Sequence, residues 1–387
     1  MSEPLYFDHN ATAPPAPGVP EALAAALRDG WGNPSSRHGW GRRAREALER
    51  ARGEVAASLG ATAAQVVFTS GGSEADALAI RGPVAAGAVA TLVVGALEHP
   101  AVLGTARAVA RERGLRLIEV PVDAAGRVTP AALERALEGA ERPLVSVMAA
   151  HNVTGVLNDL VALGAVAQRA GALFHTDAVQ AYGKIPLDFA ALPCAMLSVS
   201  AHKIGGPPGV GALLAREEVP LAPYCGGGGQ ERGRRQGTEP LPAAVAFGTA
   251  ARAVAARLGC ARAVARRRDR FEERLARAVD GVRFAGRDAD RLPNTSAVLV
   301  RGADGAAVVA ACDERGLAVS AGSACHGAGG GSAGAILGAA APGSAGEWGL
   351  VRVSAGPDTT DAEIDEAVVR LAEAIGEVRS REDGRWR

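Results

Sequence analysis

Lysine is almost absent from this sequence, and cysteine is scarce. Only two of the 42 basic residues are lysine, Lys184 and Lys203, and the other 40 are arginine. The five cysteines in 387 residues lack C-x-x-C spacing, which excludes a disulfide framework and gives no support to a metal site. Basic and acidic residues are equal in number, at 42 each, which argues against a protein whose main task is to bind nucleic acid.

Long apolar runs are also missing. No stretch approaches the roughly 18 consecutive apolar residues of a membrane helix, so we expect no membrane association. The opening residues, MSEPLYFDHN, lack the basic and apolar regions of a signal peptide. With so few cysteines, these features predict a protein of the reducing cytoplasm.

The scarcity of lysine makes each surviving lysine informative. Arginine has replaced lysine wherever either cation serves, so a remaining lysine marks a position where arginine fails. Arginine keeps its proton and cannot act as an imine-forming nucleophile, whereas lysine can. The context of Lys203, at the end of an apolar strand, indicates such a role. We interpret Lys184 as a lysine that survived by chance.

Strands and helices alternate over the first 215 residues. The predicted strands cover 65–69, 91–95, 116–122, 144–150, 172–177, 195–200 and 209–215. The predicted helices cover 42–59, 73–81, 101–113, 130–137 and 160–169, followed by a long helical stretch over 242–279. This alternation predicts an α/β fold with a mostly parallel, doubly wound sheet. We expect a large domain over 15–258 and a smaller α+β domain formed by 1–14 and 259–387.

Polar residues follow several of the predicted strands. In such a sheet, ligands bind beyond the carboxyl ends of the strands. The turn that contains Gly72 and Ser73 suits either a phosphate cradle or a simple helix capping box. The residues that follow the later strands are His99, Asn152, Asp177, Gln180, Ser200, His202 and Lys203.

These residues together have the parts of a pyridoxal 5′-phosphate site. A lysine can hold this cofactor as a Schiff base, and a strand-end aspartate can pair with the pyridinium nitrogen. A histidine can stack on the ring, and the Gly72–Ser73 turn can hold the phosphate. Their joint occurrence at successive strand ends predicts pyridoxal phosphate as the cofactor.

The chain resembles the cysteine desulfurases of the class V aminotransferase group, which are fold type I pyridoxal phosphate enzymes. The resemblance is carried by stretches that run through nearly the whole chain: YFDHNAT at 6–12, GNPSS at 32–36, VFTSG at 67–71, EH at 98–99, NVTG at 152–155, HTDAVQ at 175–180, SVSAHK at 198–203, GGGGQERG at 226–233, RQGT at 235–238 and SAGSAC at 320–325. The SVSAHK and GSAC elements are the most specific of these.

The resemblance implies roles for individual residues. It implies that Lys203, His99 and Cys325 are catalytic, with Cys325 as the nucleophile that accepts sulfur. It implies that Arg352 and Asn152 bind the substrate. The cofactor-binding residues that it implies are Gly72, Ser73, His99, Asn152, Asp177, Gln180, Ser200, His202, Lys203 and Thr238.

The resemblance also implies the reaction and the partners. L-cysteine is converted to L-alanine, with a persulfide on Cys325 that passes to a sulfur-acceptor protein. Thr238 reaches the cofactor phosphate of the other subunit, which implies a homodimer. The glycine-rich segment after Cys325 predicts a mobile loop that carries the thiol.

Other functions remain open at this point. The first alternative is a selenocysteine lyase or another class V C–S lyase. Ser200 and Lys203 also match the S-x-x-K pattern of serine hydrolases, although that pattern's companion motifs are missing. The Arg-rich stretch 261–279 suggests nucleic-acid binding, but its interleaved acidic residues favour a solvated helix face.

Overall fold

The computed structural model describes residues 3–223, 225–321, 336 and 347–382. The predicted nucleophile Cys325, its neighbour His326 and the glycine-rich segment after them lie outside the described residues. Among the residues described, no helix combines the length and the apolar character needed to cross a bilayer.

A seven-stranded sheet lies at the centre of the first 215 residues. Its strands are β2 (Val66–Thr69), β3 (Thr91–Gly95), β4 (Arg116–Val120), β5 (Pro143–Ser146), β6 (Leu173–Asp177), β7 (Met196–Ser200) and β8 (Gly211–Ala215). Their order is β2-β8-β7-β6-β5-β3-β4. Strands β7, β6, β5, β3 and β4 are parallel, and β8 is antiparallel to both of its neighbours. The predicted mostly parallel sheet is confirmed.

Helices cover both faces of this sheet. They are α1 (Val19–Asp29), α2 (Gly39–Ala57), α3 (Gly72–Ala85), α4 (Pro100–Arg113), α5 (Pro130–Leu137) and α6 (Leu160–Arg169). Side chains alternate between the two faces of a strand. In β3, Val93 therefore packs in one buried cluster with Leu48 of α2, while Leu92 packs in another with Val102 of α4. Burial on both faces explains the nearly continuous apolar strands.

The long helical stretch predicted over 242–279 is divided into three helices. These are α7 (Leu241–Arg252), α8 (Val254–Gly259) and α9 (Ala261–Ala278). Gly259, a poor helix former, ends α8 and separates it from α9. Helix α7 packs against α1 and α2, whereas α9 packs against the C-terminal elements.

A second core forms near the C-terminus and includes the first described residues. Its elements are β1 (Leu5–Tyr6), β9 (Val282–Ala285), β10 (Thr295–Arg301), α10 (Gly305–Glu314), β11 (Leu317–Ala318), β12 (Trp348–Ser354) and α11 (Asp361–Glu382). Strands β12, β10 and β9 form an antiparallel sheet, and β1 pairs in parallel with β11. Leu5 and Phe7 are buried in this core. The exact domain division expected from the sequence stays a prediction.

The segment after β1 connects the two cores. Asp8 forms a bridge with Ser354 at the end of β12. The Asn10 backbone amide donates to the Ser354 hydroxyl at 3.0 Å. The chain then reaches the turn after β7, where the Ala13 amide donates to the His202 carbonyl at 3.0 Å. Residues 8–13 are therefore held between the large sheet and β12.

Candidate active site

Parallel strands bring the predicted site residues to one edge of the large sheet. His99 follows β3, Asn152 follows β5, and Asp177 ends β6. Ser200 ends β7, and the 3₁₀ turn Ala201–Ile204 directly after it carries Lys203. These four strands run in the same direction, so their carboxyl ends meet at the same edge, as expected for a ligand site in an open α/β sheet.

The amine of Lys203 lies against the connecting segment of the chain. It donates to the carbonyl oxygens of Asn10 at 2.7 Å and Ala11 at 2.8 Å. Burial, followed by the nearby charge of Arg352, lowers the pKa of Lys203 from 10.5 to about 8, although Asp177 opposes the shift. An amine with this pKa is partly unprotonated near neutral pH and can act as a nucleophile.

Asp177 belongs to a buried group of three carboxyl side chains. It accepts a hydrogen bond from the Val179 amide at 2.8 Å. Burial raises the pKa values of Asp76 and Glu98 well above their ordinary range, and Asp177 raises both further. Burial also raises the pKa of Asp177, but His99 and Lys203 lower it. We infer that Asp76 and Glu98 are protonated and that Asp177 carries the negative charge.

A hydrogen-bond chain next to Asp177 contains His175, which burial keeps neutral. The His175 ring bonds to the Ser146 hydroxyl through Nδ1 and to the Ser198 hydroxyl through Nε2, both at 2.9 Å. Burial lowers the pKa of His175 to about 3. The sequence analysis gave no role to Asp76. A carboxyl residue on the buried face of α3, among alanines, is the signal that could have found it.

His99 is oriented by the start of α4, which it caps. Its Nδ1 accepts a hydrogen bond from the Ala101 amide at 3.1 Å. Burial lowers its pKa, whereas Asp177 raises it. Because Nδ1 is an acceptor, the neutral ring carries its proton on Nε2. The stacking role implied for this ring stays a prediction.

The turn before α3 has the features of a phosphate cradle and one part of a capping box. The Glu74 side chain accepts from the Ser70 amide at 2.6 Å, which is half of a capping box. Gly71 occupies the N-cap position, and no described side chain caps it. A Cβ atom at Gly72 would lie 2.6 Å from Val179 and 3.6 Å from the Ser200 Cβ. The helix start and Ser200 are therefore neighbours, and glycine keeps open the space between α3 and the segment after β6.

The other residues predicted around the phosphate differ in exposure. Ser200 is buried, and Ser73 is exposed. His202 shares a 3.2 Å hydrogen bond with the Thr12 hydroxyl. Thr238 is exposed on the described chain and forms no hydrogen bond there with the other predicted site residues.

Arg352 is buried in β12 and points to the same region. It donates to Asp8 Oδ1 at 2.7 Å and to the Asn152 carbonyl at 3.1 Å. Its buried Nε atom has no hydrogen-bond partner among the described residues. A guanidinium group with an unused donor can accept a carboxylate.

Gln180 and Lys184 meet at Asn10. The Gln180 amide nitrogen donates to the Asn10 carbonyl at 3.0 Å. The Lys184 amine donates to Asn10 Oδ1 at 2.7 Å and to Gln180 Oε1 at 2.8 Å. Lys184, which the sequence left without a role, is therefore next to the residues that hold Lys203. The rarity of lysine was the signal that could have found it.

The described cysteines differ from the thiol required of a sulfur acceptor. Cys194 and Cys312 are buried, and burial raises the pKa of each to about 12. Cys225 is exposed and Cys260 is half-buried. Because the thiolate is the reactive form, Cys194 and Cys312 are poor nucleophiles.

Comparison with known proteins identifies the family. A sequence model described as Aminotransferase class-V matches residues 5–367. The chain belongs to the class-V aminotransferase family. The membership predicted from the motifs is confirmed.

The family members most similar to this chain include cysteine desulfurases. A cysteine desulfurase of Cereibacter sphaeroides is 41% identical over 98% of this chain and 97% of the relative. An IscS-like cysteine desulfurase of Mycobacterium tuberculosis is 38% identical over 97% of each chain. A solved structure of a NifS-like protein superposes with a TM-score of 0.87 at 30% identity, covering 97% of this chain and 100% of the other.

Class-V aminotransferases of this kind depend on pyridoxal phosphate, so the predicted cofactor is confirmed along with fold type I. The residues present fit the group. The glycine turn at Gly72 leaves the room that a Cβ would fill, and Lys203 provides an amine with a lowered pKa. Asp177 provides a buried carboxylate for the pyridinium nitrogen.

Proposed function

We propose that this protein is a cysteine desulfurase, which converts L-cysteine to L-alanine and leaves the sulfur as a persulfide on Cys325. The observation that carries the proposal is the Lys203 amine, with a pKa of about 8, near the buried carboxylate of Asp177. The cysteine desulfurases among the relatives match nearly the whole chain and support the same reaction.

Lys203 and Asp177 handle charge and protons at the cofactor. Bound through Lys203, pyridoxal phosphate supplies an electron sink for the pair released at the substrate Cα. Once the substrate amine replaces it, the Lys203 amine takes the Cα proton as a general base. Asp177 keeps the pyridine nitrogen protonated. His99 would stack on the cofactor ring and would assist proton transfer through Nε2.

The phosphate and the substrate carboxylate have separate anchors. The amides at the start of α3, with Gly72, Ser73, Ser200 and His202, hold the phosphate. Arg352 binds the substrate carboxylate through its free Nε, assisted by the Asn152 side chain, while Asp8 fixes the guanidinium plane. Gln180 would lie near the cofactor's phenolic oxygen.

Sulfur transfer is balanced without an added oxidant. The Cys325 thiolate attacks the substrate sulfur, and the C–S bond breaks with its electron pair left on the substrate carbon. A proton on that carbon completes L-alanine. The transferred sulfur remains bonded to Cys325 as a persulfide, so one L-cysteine and one thiol give one L-alanine and one persulfide.

We propose further that the protein acts as a homodimer and passes sulfur to an acceptor protein. Thr238, exposed on the single chain, then serves the phosphate of the partner's site. A reducing cytoplasmic location is consistent with the free thiols of the four described cysteines.

Mass spectrometry after one turnover tests the proposal. After incubation with L-cysteine, we expect one equivalent of alanine and one added sulfur atom on the Cys325 peptide. Cys325→Ala should bind the cofactor but form almost no alanine, whereas Cys194→Ser is the matched control and should retain activity. Full alanine formation by Cys325→Ala would instead support a selenocysteine lyase or another C–S lyase.

A further inference from the structure

Lys184 is buried, and the proposed reaction gives no part to this second lysine of the chain. It is 7% exposed, and its amine forms hydrogen bonds to two side-chain carbonyl oxygens, Asn10 Oδ1 and Gln180 Oε1. Long cationic side chains are almost never this buried without a carboxylate partner. No described carboxylate is paired with Lys184.

The surroundings of Lys184 are cationic. Lys203 faces it from the turn after β7, Arg352 from β12 and Arg257 from α8. His9 lies there too, but burial lowers its pKa to about 4, so its ring is neutral. A small pocket beside Lys203 is lined by both lysines, by His9 and by Arg257. Burial and then Lys203, Arg352 and Arg257 lower the pKa of Lys184 well below its ordinary value. An unprotonated amine has two N–H donors, which matches its two acceptors.

The hydrogen bonds of Lys184 determine how Gln180 is oriented. An amide can point either its oxygen or its nitrogen at a neighbour. Because Lys184 only donates to Gln180 Oε1, the amide nitrogen of Gln180 is directed to the Asn10 carbonyl. That same carbonyl accepts from the Lys203 amine. Lys184 therefore hydrogen-bonds to Asn10, whose carbonyl accepts from Lys203, and to Gln180, which donates to that same carbonyl.

We propose that Lys184 is a positioning residue that fixes Asn10 and the Gln180 amide and, through them, the carbonyl against which the Lys203 amine lies. The inference rests on the proposed function only in taking Lys203 as the cofactor-binding amine. Removing the Lys184 amine leaves Gln180 Oε1 without its donor and allows the amide to rotate. Among the described residues, Asn10 Oδ1 then accepts only the hydrogen bond that the Asn294 side-chain nitrogen donates.

Substitutions of Lys184 separate positioning from charge. Lys184→Met keeps the length but removes both donors, Lys184→Gln keeps an N–H donor, and Lys184→Arg keeps a charge that cannot be lost. We expect Lys184→Met to weaken pyridoxal phosphate binding by about tenfold, which corresponds to about 1.4 kcal/mol. Lys184→Gln should recover part of this loss, and Lys184→Arg should recover none of it.

A double variant tests whether Lys184 acts through Gln180. Lys184→Met combined with Gln180→Leu should bind the cofactor no more weakly than the weaker single variant. The pH at which the bound cofactor's absorbance changes should shift equally in both single variants. Arg370→Met is the matched control, because this buried cation has no hydrogen-bond partner in the Asn10 network within the described residues.

A readout on the apoprotein keeps the proposal independent of cofactor chemistry. At fixed pH, Lys203 should acylate faster in Lys184→Met than in wild type, because its Asn10 acceptor is no longer fixed. Wild-type binding and acylation rates in Lys184→Met, or independent losses in the double variant, would overturn the proposal. If Lys184→Met fails to fold, cofactor binding and the acylation rate of Lys203 are compared between Lys184→Gln and wild type, and that comparison tests the proposal. A wild-type protein that binds no pyridoxal phosphate would refute the proposed function instead, and the acylation rates would still test Lys184.

Discussion

The lowered pKa of Lys203 predicts a reactive amine in the apoprotein. At pH 7 a pKa of about 8 leaves about 9% of the amine unprotonated, against about 0.03% at the ordinary value of 10.5. Lys203 should therefore react with an acylating reagent about 300-fold faster than an ordinary lysine of equal access. The cause is burial first and the charge of Arg352 second.

Arg352 and Asp8 form a salt bridge, and substitution of one or the other should shift the pKa of Lys203 in opposite directions. Arg352→Gln removes the cation that lowers the pKa of Lys203 and frees Asp8, which raises it, so the pKa should rise. Asp8→Asn removes a charge that raises the pKa, so the pKa should fall. A nearby unit charge at an effective dielectric constant of about 20 contributes on the order of 2 kcal/mol, so each shift should be on the order of one pKa unit.

Competitive acylation measures these pKa values directly. The apoprotein is labelled with a limiting reagent between pH 6 and pH 11, and the label on the Lys203 peptide is quantified by mass spectrometry. The chain has only two lysines, so the signal is simple to assign. A wild-type midpoint at or above pH 10, or shifts of the two variants in the same direction, would refute the electrostatic reasoning.

Three further predictions concern the carboxyl group cluster, a buried ion pair and pH. Because its raised pKa indicates that Asp76 is protonated, Asp76→Asn should bind pyridoxal phosphate almost as well as wild type. Asp177→Asn should lose at least tenfold in affinity for the cofactor, measured by spectrophotometric titration. Equal losses of affinity in the two variants would contradict this assignment. Arg52→Met leaves the buried Glu231 carboxylate without its bidentate partner, so the free energy of unfolding, measured in urea, should fall by about 3–5 kcal/mol. The double variant Arg52→Met/Glu231→Leu should restore much of this loss. An Arg52→Met protein as stable as wild type would be inconsistent with this expectation. Between pH 8 and pH 10.5 the unfolded apoprotein binds more protons than the folded one at Lys203, so Lys203 should contribute a rise of about 3 kcal/mol in the free energy of unfolding across this window. Lys203→Met should remove that contribution, while the rise due to Lys184, whose pKa is also lowered, remains.

The sheet and the cofactor residues on its edge follow from the sequence because both depend on local patterns. The strand predicted over 91–95 and the helices predicted over 130–137 and 160–169 match the observed bounds. Other strands differ by one to four residues at their ends, where hydrogen-bond pairing rather than composition decides the limit. Asp177 and Lys203 were found because parallel strands bring their carboxyl ends to one edge.

The residues missed by the sequence depend on contacts between distant segments. Asp76 approaches Asp177 only because α3 packs across the end of β6. Asn10 joins segments that are 142 to 285 residues apart in the chain, through hydrogen bonds to Asn152 and Thr295. The periodicity of a single segment cannot predict contacts between segments that are so far apart in the chain. The role of Lys184 depends on the same network, and the rarity of lysine is the only sequence signal that points to this residue.

The hydrogen-bond network around Asn10 contains both of the chain's lysines and bears on why lysine is so rare. Forty of the 42 basic residues are arginine, and many of the described arginines form ion pairs in which a permanent positive charge is tolerated. Both lysines instead have their amines at Asn10, close to other cations, and the pKa of each is lowered. A guanidinium group cannot shed its proton there, whereas an amine can. The scarcest residue in the chain therefore marks the part of the site where an amine that can lose its proton lies against Asn10.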